Sequence, residues 1–310
     1  MIEVRNLSRY YGQFAAVDDV SFTIGTGEVV GLLGHNGAGK TTIMKMLTGY
    51  IEPSGGVVTV DGTNVQDDPL AVQAQMGYLP ESLPLYPEMT VADYLAHAAA
   101  MRALDPQTCV AEAIRATQLE EKAFDRIDTL SRGYKQRLGV AQAILHKPKF
   151  LILDEPSNGL DPNQIREMRA LILRLAEHAT VILSTHIMQE VNAVCDRALI
   201  LRSGRLVVDE KLTALQQSAH VRLRTAPQAD VAGALTDCEG AANPTELEQG
   251  VWQLEIGSEV DATIARIARA LTAHEVPIYQ LNAETRDLET IFAEVNESTV
   301  VATGEEQDAA

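Results

Sequence analysis

The chain predicts an α/β nucleotide-binding core with an N-terminal β subdomain and a helical insertion, followed by a small ferredoxin-like α+β domain. Three observations carry that expectation. The string GHNGAGKT (Gly34–Thr41) is a glycine-rich turn between an apolar strand, Glu28–Gly34, and a helical stretch, Thr41–Tyr50. Strand and helix patterns alternate again from Phe150 to Cys195. After about Gln217 the order becomes βαββαβ, which is that of a ferredoxin-like unit.

Along the chain, IEVRNLSRYYG, VSFTI and VVTVDG read as short strands with turns between them. From about Ser82 to Leu130 the period becomes helical, and TVADYLAHAAAMRAL puts Val91, Tyr94, Leu95, Ala98 and Ala99 on one face. KFLILDE is a strand, DPNQIREMRALILRLAE a helix, ATVILSTH a strand and HIMQEVNAVC a helix. RALILRSGRLVVDEKL closes the core as a hairpin turning at Ser203–Gly204. Beyond it come HVRLRT, the helix-like QADVAGALT, a weak strand near Pro244–Leu247, VWQLEI, the helix EVDATIARIARALTAHE and PIYQLN. A last helix, RDLETIFAEV, carries Leu288, Ile291, Phe292 and Val295 on one face. The boundaries are 1–216 for the nucleotide-binding core, with the helical subdomain at about 82–140, and 217–298 for the accessory domain; 299–310 is expected to be a flexible acidic tail.

Composition narrows the function. Hydrophobic residues make up 46% of the 310, enough for substantial cores. Apolar runs such as FLIL fall far short of the ~18 residues that span a bilayer. Glu3 and Arg5 interrupt the start, so no secretory leader is expected. Cys109, Cys195 and Cys238 lack metal spacing and read as reduced thiols of a cytosolic protein. The net charge is −18, and residues 221–310 hold 17 acidic against 5 basic side chains. Nucleic-acid binding needs the opposite sign, so no nucleic-acid partner is expected.

The glycine-rich turn fits G-x-x-x-x-G-K-[ST], a phosphate cradle. Its glycines let backbone N–H groups close on phosphate oxygens at a helix N-terminus, where the dipole favours negative charge. Gly34, His35, Asn36, Gly37, Ala38, Gly39, Lys40, Thr41 and Thr42 are therefore the expected ATP-binding residues. Lys40 would reach the β- and γ-phosphates, and the Thr41 hydroxyl would ligate Mg²⁺. FLILDE then brings two carboxylates to the end of a buried strand: Asp154 near Mg²⁺, and Glu155 positioned to polarise an attacking water.

Just upstream lies LSRGYKQR (Leu130–Arg137), and here the chain resembles the ATP-binding subunits of ABC transporters, whose signature is LSGGQ. Ser131 and Gly133 match it; Arg132 and Tyr134 depart from it. The resemblance implies an ABC-type P-loop ATPase fold and a head-to-tail dimer, homomeric or paired with another ABC ATPase. In that dimer Ser131, Arg132, Gly133 and Tyr134 would face the partner's γ-phosphate. It also assigns Tyr11, beside the ambiguous Tyr10, to adenine stacking, Asp161 of SNGLD to the interface loop, and His186 to the γ-phosphate and the water. MGYLPE (Met76–Glu81) falls where the family has a loop ending in a glutamine that contacts Mg²⁺, so Glu81 would stand in as a metal ligand.

LSTHIMQEVNAVCDR, LDPNQ and VPIYQLNAETRDLETIFAEV look most like gliding-motility-associated and drug-export-type ATPases. The implied partner is an integral membrane permease of ABC-2 type, and the implied place is the cytoplasmic side of the membrane. Leu83, Leu85, Tyr86 and Met89 suit either a groove for the permease or the insertion's own core. The same sequence admits two other readings. One is a soluble ABC-type ATPase with no membrane partner; the other is a catalytically dead ATP-binding module, which the presence of Lys40, Asp154, Glu155 and His186 disfavours.

Overall fold

Apolar residues two apart share one face of a strand, and this drives the first elements. In β1 (Ile2–Tyr11) Ile2, Val4 and Leu7 are buried, and a register shift between Val4 and Leu7 returns Leu7 to the inner face. The structure, a computed structural model, describes residues 1–236, 238, 241–256, 260–285 and 287–297. The expected tail at 299–310 lies outside the described residues, as does the side chain of Val295. The chain divides into two units, one ending at Leu212 and the other starting at Thr213.

The first unit continues with β2 (Phe14–Ile24), β3 (Val29–Leu33), α1 (Lys40–Leu47), β4 (Gly55–Val60), β5 (Thr63–Asn64), α2 (Pro69–Gln73) and β6 (Met76–Leu79). Then come α3 (Val91–Met101), α4 (Pro106–Ala116), α5 (Arg132–Ile144), β7 (Phe150–Asp154), α6 (Pro162–Ala176), β8 (Thr180–Thr185), α7 (Met188–Val194), β9 (Arg197–Arg202) and β10 (Arg205–Lys211). An antiparallel sheet has the order β2-β1-β4-β5, and a six-stranded sheet has the order β10-β9-β3-β8-β7-β6. In the second, all neighbours are parallel except β10, which returns antiparallel to β9.

Parallel strands need apolar cover on both faces. Ile152, Ile182 and Leu199 join one core with Ile43, Met44, Leu47 and the N-terminal sheet. Leu151, Leu153 and Leu183 join another with Met168, Leu171 and Ile172 of α6. The insertion has its own core around Tyr94, Leu95, Ile114 and Leu138.

Two local expectations are corrected. Met76–Leu79 is not loop but the edge strand β6, paired in parallel with β7, because Met76, Gly77 and Leu79 are buried against it. The helical pattern begins only at Val91, and residues 82–90 form no regular element. Of the four apolar residues there, Leu83 packs on the α6-side core, and Leu85 and Met89 pack on the insertion core. Tyr86 alone is exposed, at 49%, with ring contacts to Tyr94 and His97.

The second unit follows α8 (Leu212–Gln216) with β11 (Gln217–Arg224), α9 (Val231–Leu235), β12 (Ala241–Glu248), β13 (Val251–Ile256), α10 (Val260–Ala273), β14 (Gln280–Thr285) and α11 (Leu288–Glu297). Its antiparallel sheet has the order β12-β13-β11-β14, the ferredoxin-like arrangement with the first and third strands in the middle. Val221, Leu223 and Leu254 from the sheet bury Ile267 and Leu271 of α10.

The insertion meets the core sheet through two glycines. A Cβ at Gly77 of β6 would collide with the Ala143 carbonyl oxygen of α5, and one at Gly139 of α5 would lie 2.5 Å from the methyl ends of Leu79 and Leu83. Backbone cannot yield as a leucine methyl can, so Gly77→Ala is expected to cost on the order of 2 kcal/mol and Gly139→Ala less. Urea unfolding checks this, and equal midpoints for Gly77→Ala and the parent would contradict it.

Candidate functional site: the carboxyl edge of the parallel sheet

Strands β6, β7, β8 and β3 run in parallel, so their carboxyl ends share one edge. Ligands of open α/β sheets bind outside that edge. Glu81, Asp154–Glu155, His186 and the Gly34–Thr41 turn leave those four strands there in turn.

The turn is shaped by its glycines. Gly39, with φ 104°, sits at the N-cap of α1, and a Cβ there would lie 2.5 Å from the Ala16 carbonyl oxygen. No side chain caps α1, so its first N–H groups face outward for an anion. Lys40 is buried, and its Nζ donates to the carbonyls of Gly34 at 2.6 Å and His35 at 3.3 Å. Glu155 Oε1 stands 3.9 Å from the same nitrogen. Burial lowers the Lys40 pKa, against the opposing pull of the Glu155, Asp154 and Glu81 carboxylates.

Glu155 is held in an uncommon backbone state, φ 50°, in the left-handed region that non-glycine residues rarely adopt. Its N–H donates to the Ser184 carbonyl at 3.1 Å and to Ser184 Oγ at 3.2 Å. Its Oε2 lies 2.9 Å from His186 Nδ1, which donates when the carboxylate is ionised. Burial raises the Glu155 pKa, opposed by His186 and Lys40. The turn bearing His186 is set by Thr185, whose hydroxyl donates to Glu190 at 2.9 Å and accepts from the Ile187 N–H at 3.1 Å.

Asp154 is fully buried, and its Oδ1 accepts from the Ser184 hydroxyl. Its Oδ2 is buried with no hydrogen-bond partner. An orphaned carboxylate oxygen costs free energy unless something claims it. A hard divalent cation takes oxygen ligands, and this oxygen fits one. Ser184 is the residue that sequence reasoning missed: it donates to the Asp154 carboxylate and accepts from the Glu155 backbone N–H, and its only signal was its place opposite Asp154 in the β7–β8 register.

The other expected residues have their own local contacts. Tyr11 ends β1 and is 49% exposed, with the Arg9 guanidinium carbon 4.8 Å from its ring centroid; the Tyr10 hydroxyl is tied to Asp18. Ser131 caps α5, and Gly133 packs on Gln164 of α6. The Tyr134 ring lies 5.9 Å from Lys122 Nζ. Asp161 caps α6, accepting from the N–H groups of Asn163 and Gln164 at 2.9 Å each.

A strand–phosphate-loop–helix unit, with paired carboxylates at the end of a neighbouring parallel strand, defines a P-loop nucleotide-hydrolysing domain. The family model described as ABC transporter matches residues 17–158. The uncharacterised ABC transporter ATP-binding protein YxlF of Bacillus subtilis is 38% identical over 73% of this chain and 76% of its own length. The bacitracin transport ATP-binding protein BcrA of Enterococcus faecalis is 30% identical over 95% and 96%. A solved ATP-binding subunit of an ABC transporter shares 32% identity and a TM-score of 0.63, covering 69% of this chain and 91% of that one. The chain therefore belongs to the ABC transporter ATP-binding proteins, ATPases that bind ATP and act as dimers with a membrane permease. No helix among the described residues is long and apolar enough to cross a membrane.

The burial of Glu155 has a consequence for stability. Its folded pKa lies above its unfolded one, so between the two values the folded state binds more protons, and stability falls as pH rises through that window. Glu155→Gln removes the loss. Without added nucleotide, the variant is expected to melt higher than the parent near neutral pH, the gap closing as pH drops towards the ordinary carboxylate range. Thermal melts across that range test this; a gap that does not change with pH would contradict it.

Proposed function

We propose that this protein is the ATP-hydrolysing subunit of an ABC-2-type export system, working as a head-to-tail dimer with ATP shared between two copies. The observation that carries the chemistry is the cluster of Lys40, Glu155 and His186 beside the unpartnered Asp154 oxygen. The full-length likeness to a bacitracin transport ATP-binding protein supports export, and it spans the C-terminal unit as well. On this reading the protein works at the cytoplasmic face of the membrane, docked to its permease.

In this scheme the Gly34–Thr42 backbone holds the triphosphate while Lys40 turns from the Gly34 and His35 carbonyls to the β- and γ-phosphates. Thr41, Asp154 and Glu81 would ligate Mg²⁺, which would supply positive charge to offset that of the phosphates. Tyr11 offers its exposed ring to adenine. Glu155, poised by burial and held by Ser184, orients and polarises the attacking water. His186 keeps Nε2 for the γ-phosphate once Nδ1 is engaged by Glu155. From the second copy, Ser131 and the α5 N-terminus meet the γ-phosphate, with Arg132, Tyr134 and the Asp161 loop alongside. Closure of the dimer would then move the permease, and hydrolysis would reopen it.

Two results are expected. Glu155→Gln should abolish steady-state phosphate release while trapping an ATP-bound dimer, seen by light scattering; persistent hydrolysis would overturn the role given to Glu155. Ser184→Ala should lower kcat by roughly tenfold, the size typical of removing a residue that orients a metal ligand. Phosphate-release kinetics with and without excess Mg²⁺ read that effect, and an unchanged kcat would contradict it.

A further inference from the structure

We infer that Arg132 and Gln164 are positioning residues that lock the signature turn of each subunit to its own Ser157–Asp161 loop, so that the two meet a partner subunit as one element. The inference rests on the composite-site reading above and deepens it.

Two glycines and two long side chains interlock. Gly159, with φ 71°, has no side chain, and a Cβ there would lie 2.5 Å from Cζ and Nη1 of Arg132. The guanidinium of the signature turn is thus seated directly on the backbone of the loop. In return, the loop's helix covers the signature. A Cβ at Gly133 would lie 2.8 Å from Gln164 Cδ and 3.0 Å from both Nε2 and Oε1, so the whole amide group lies against that glycine. Gln164 is itself oriented: its Oε1 accepts from the Asp161 N–H at 3.4 Å, completing a capping box with the Asp161 carboxylate.

Further along the same two helices, Arg137 Nη2 donates to Glu167 Oε2 at 2.5 Å. Arg137 also reaches the Gln118 side chain at 3.0 Å, which ties the helical insertion into the same seam. Three successive ties therefore join α5 to the α6 end of the loop. The seat on Gly159 needs a planar group that can lie close to bare backbone. Lysine keeps the charge but has no such plane. Arg132 is exposed, so its contribution to the fold is small, and its value lies in where the turn points.

The test uses the Glu155→Gln protein with ATP and Mg²⁺, measuring the dimer dissociation constant by analytical ultracentrifugation. A fluorescent ATP analogue measures nucleotide affinity at concentrations where the protein is monomeric. Adding Arg132→Ala or Arg132→Lys should each weaken dimerisation by about tenfold with monomer nucleotide affinity unchanged, and Gly159→Ala should act through the same contact. The Arg132→Ala, Gly159→Ala double variant should then be no weaker than the worse single one. Full dimerisation by Arg132→Lys would overturn the inference in favour of charge alone, and fully additive single effects would overturn the seat. If Glu155→Gln itself stays monomeric at saturating ATP, the composite site falls and this inference falls with it; a dimer indifferent to Arg132 overturns only the inference.

Discussion

A buried lysine facing buried carboxylates is the constraint on which the rest of the first unit depends. Lys40, Asp154 and Glu155 are all below 9% exposure, and burying charge is costly unless each group is paired. The fold meets that cost with backbone. Two carbonyls receive the lysine, one serine across the sheet donates to Asp154 and accepts from the Glu155 backbone N–H, and an edge of four parallel strands brings them together. One oxygen of Asp154 is left over, and Glu155 is kept in a strained backbone state with a raised pKa. Strain and unsatisfied polarity of this kind collect where chemistry is done.

The same arrangement explains which parts of the molecule were legible beforehand. The α/β class could be read because buried parallel strands such as Phe150–Asp154 are continuously apolar and because the phosphate turn needs glycine at fixed spacing. The edge strand Met76–Leu79 was hidden: four residues ending at a proline carry too little period to tell strand from loop. Ser184 was hidden for a different reason. Its role comes from the register between β7 and β8, which sets Asp154 opposite Ser184, and no local pattern encodes a cross-strand partner. The left-handed φ of Glu155 and the seating of Arg132 on Gly159 likewise belong to tertiary contact, where a departure from a motif acquires a neighbour.

The two units solve different packing problems. The first buries a parallel sheet on both faces and uses its strand ends for charge. The second covers an antiparallel four-stranded sheet with α9 and α10, and its described residues place no comparable cluster of buried acids and bases together. Its sequence is strongly acidic, which suits a role in solubility or contact with protein more than with nucleic acid.

The central claim is that each active site is completed by a second copy of the chain. Specific ATPase activity measured against protein concentration, with light scattering on the same samples, tests this most directly. The account predicts activity per subunit that climbs with concentration and tracks the fraction of dimer. A constant activity per subunit over a range in which the protein stays monomeric would contradict it.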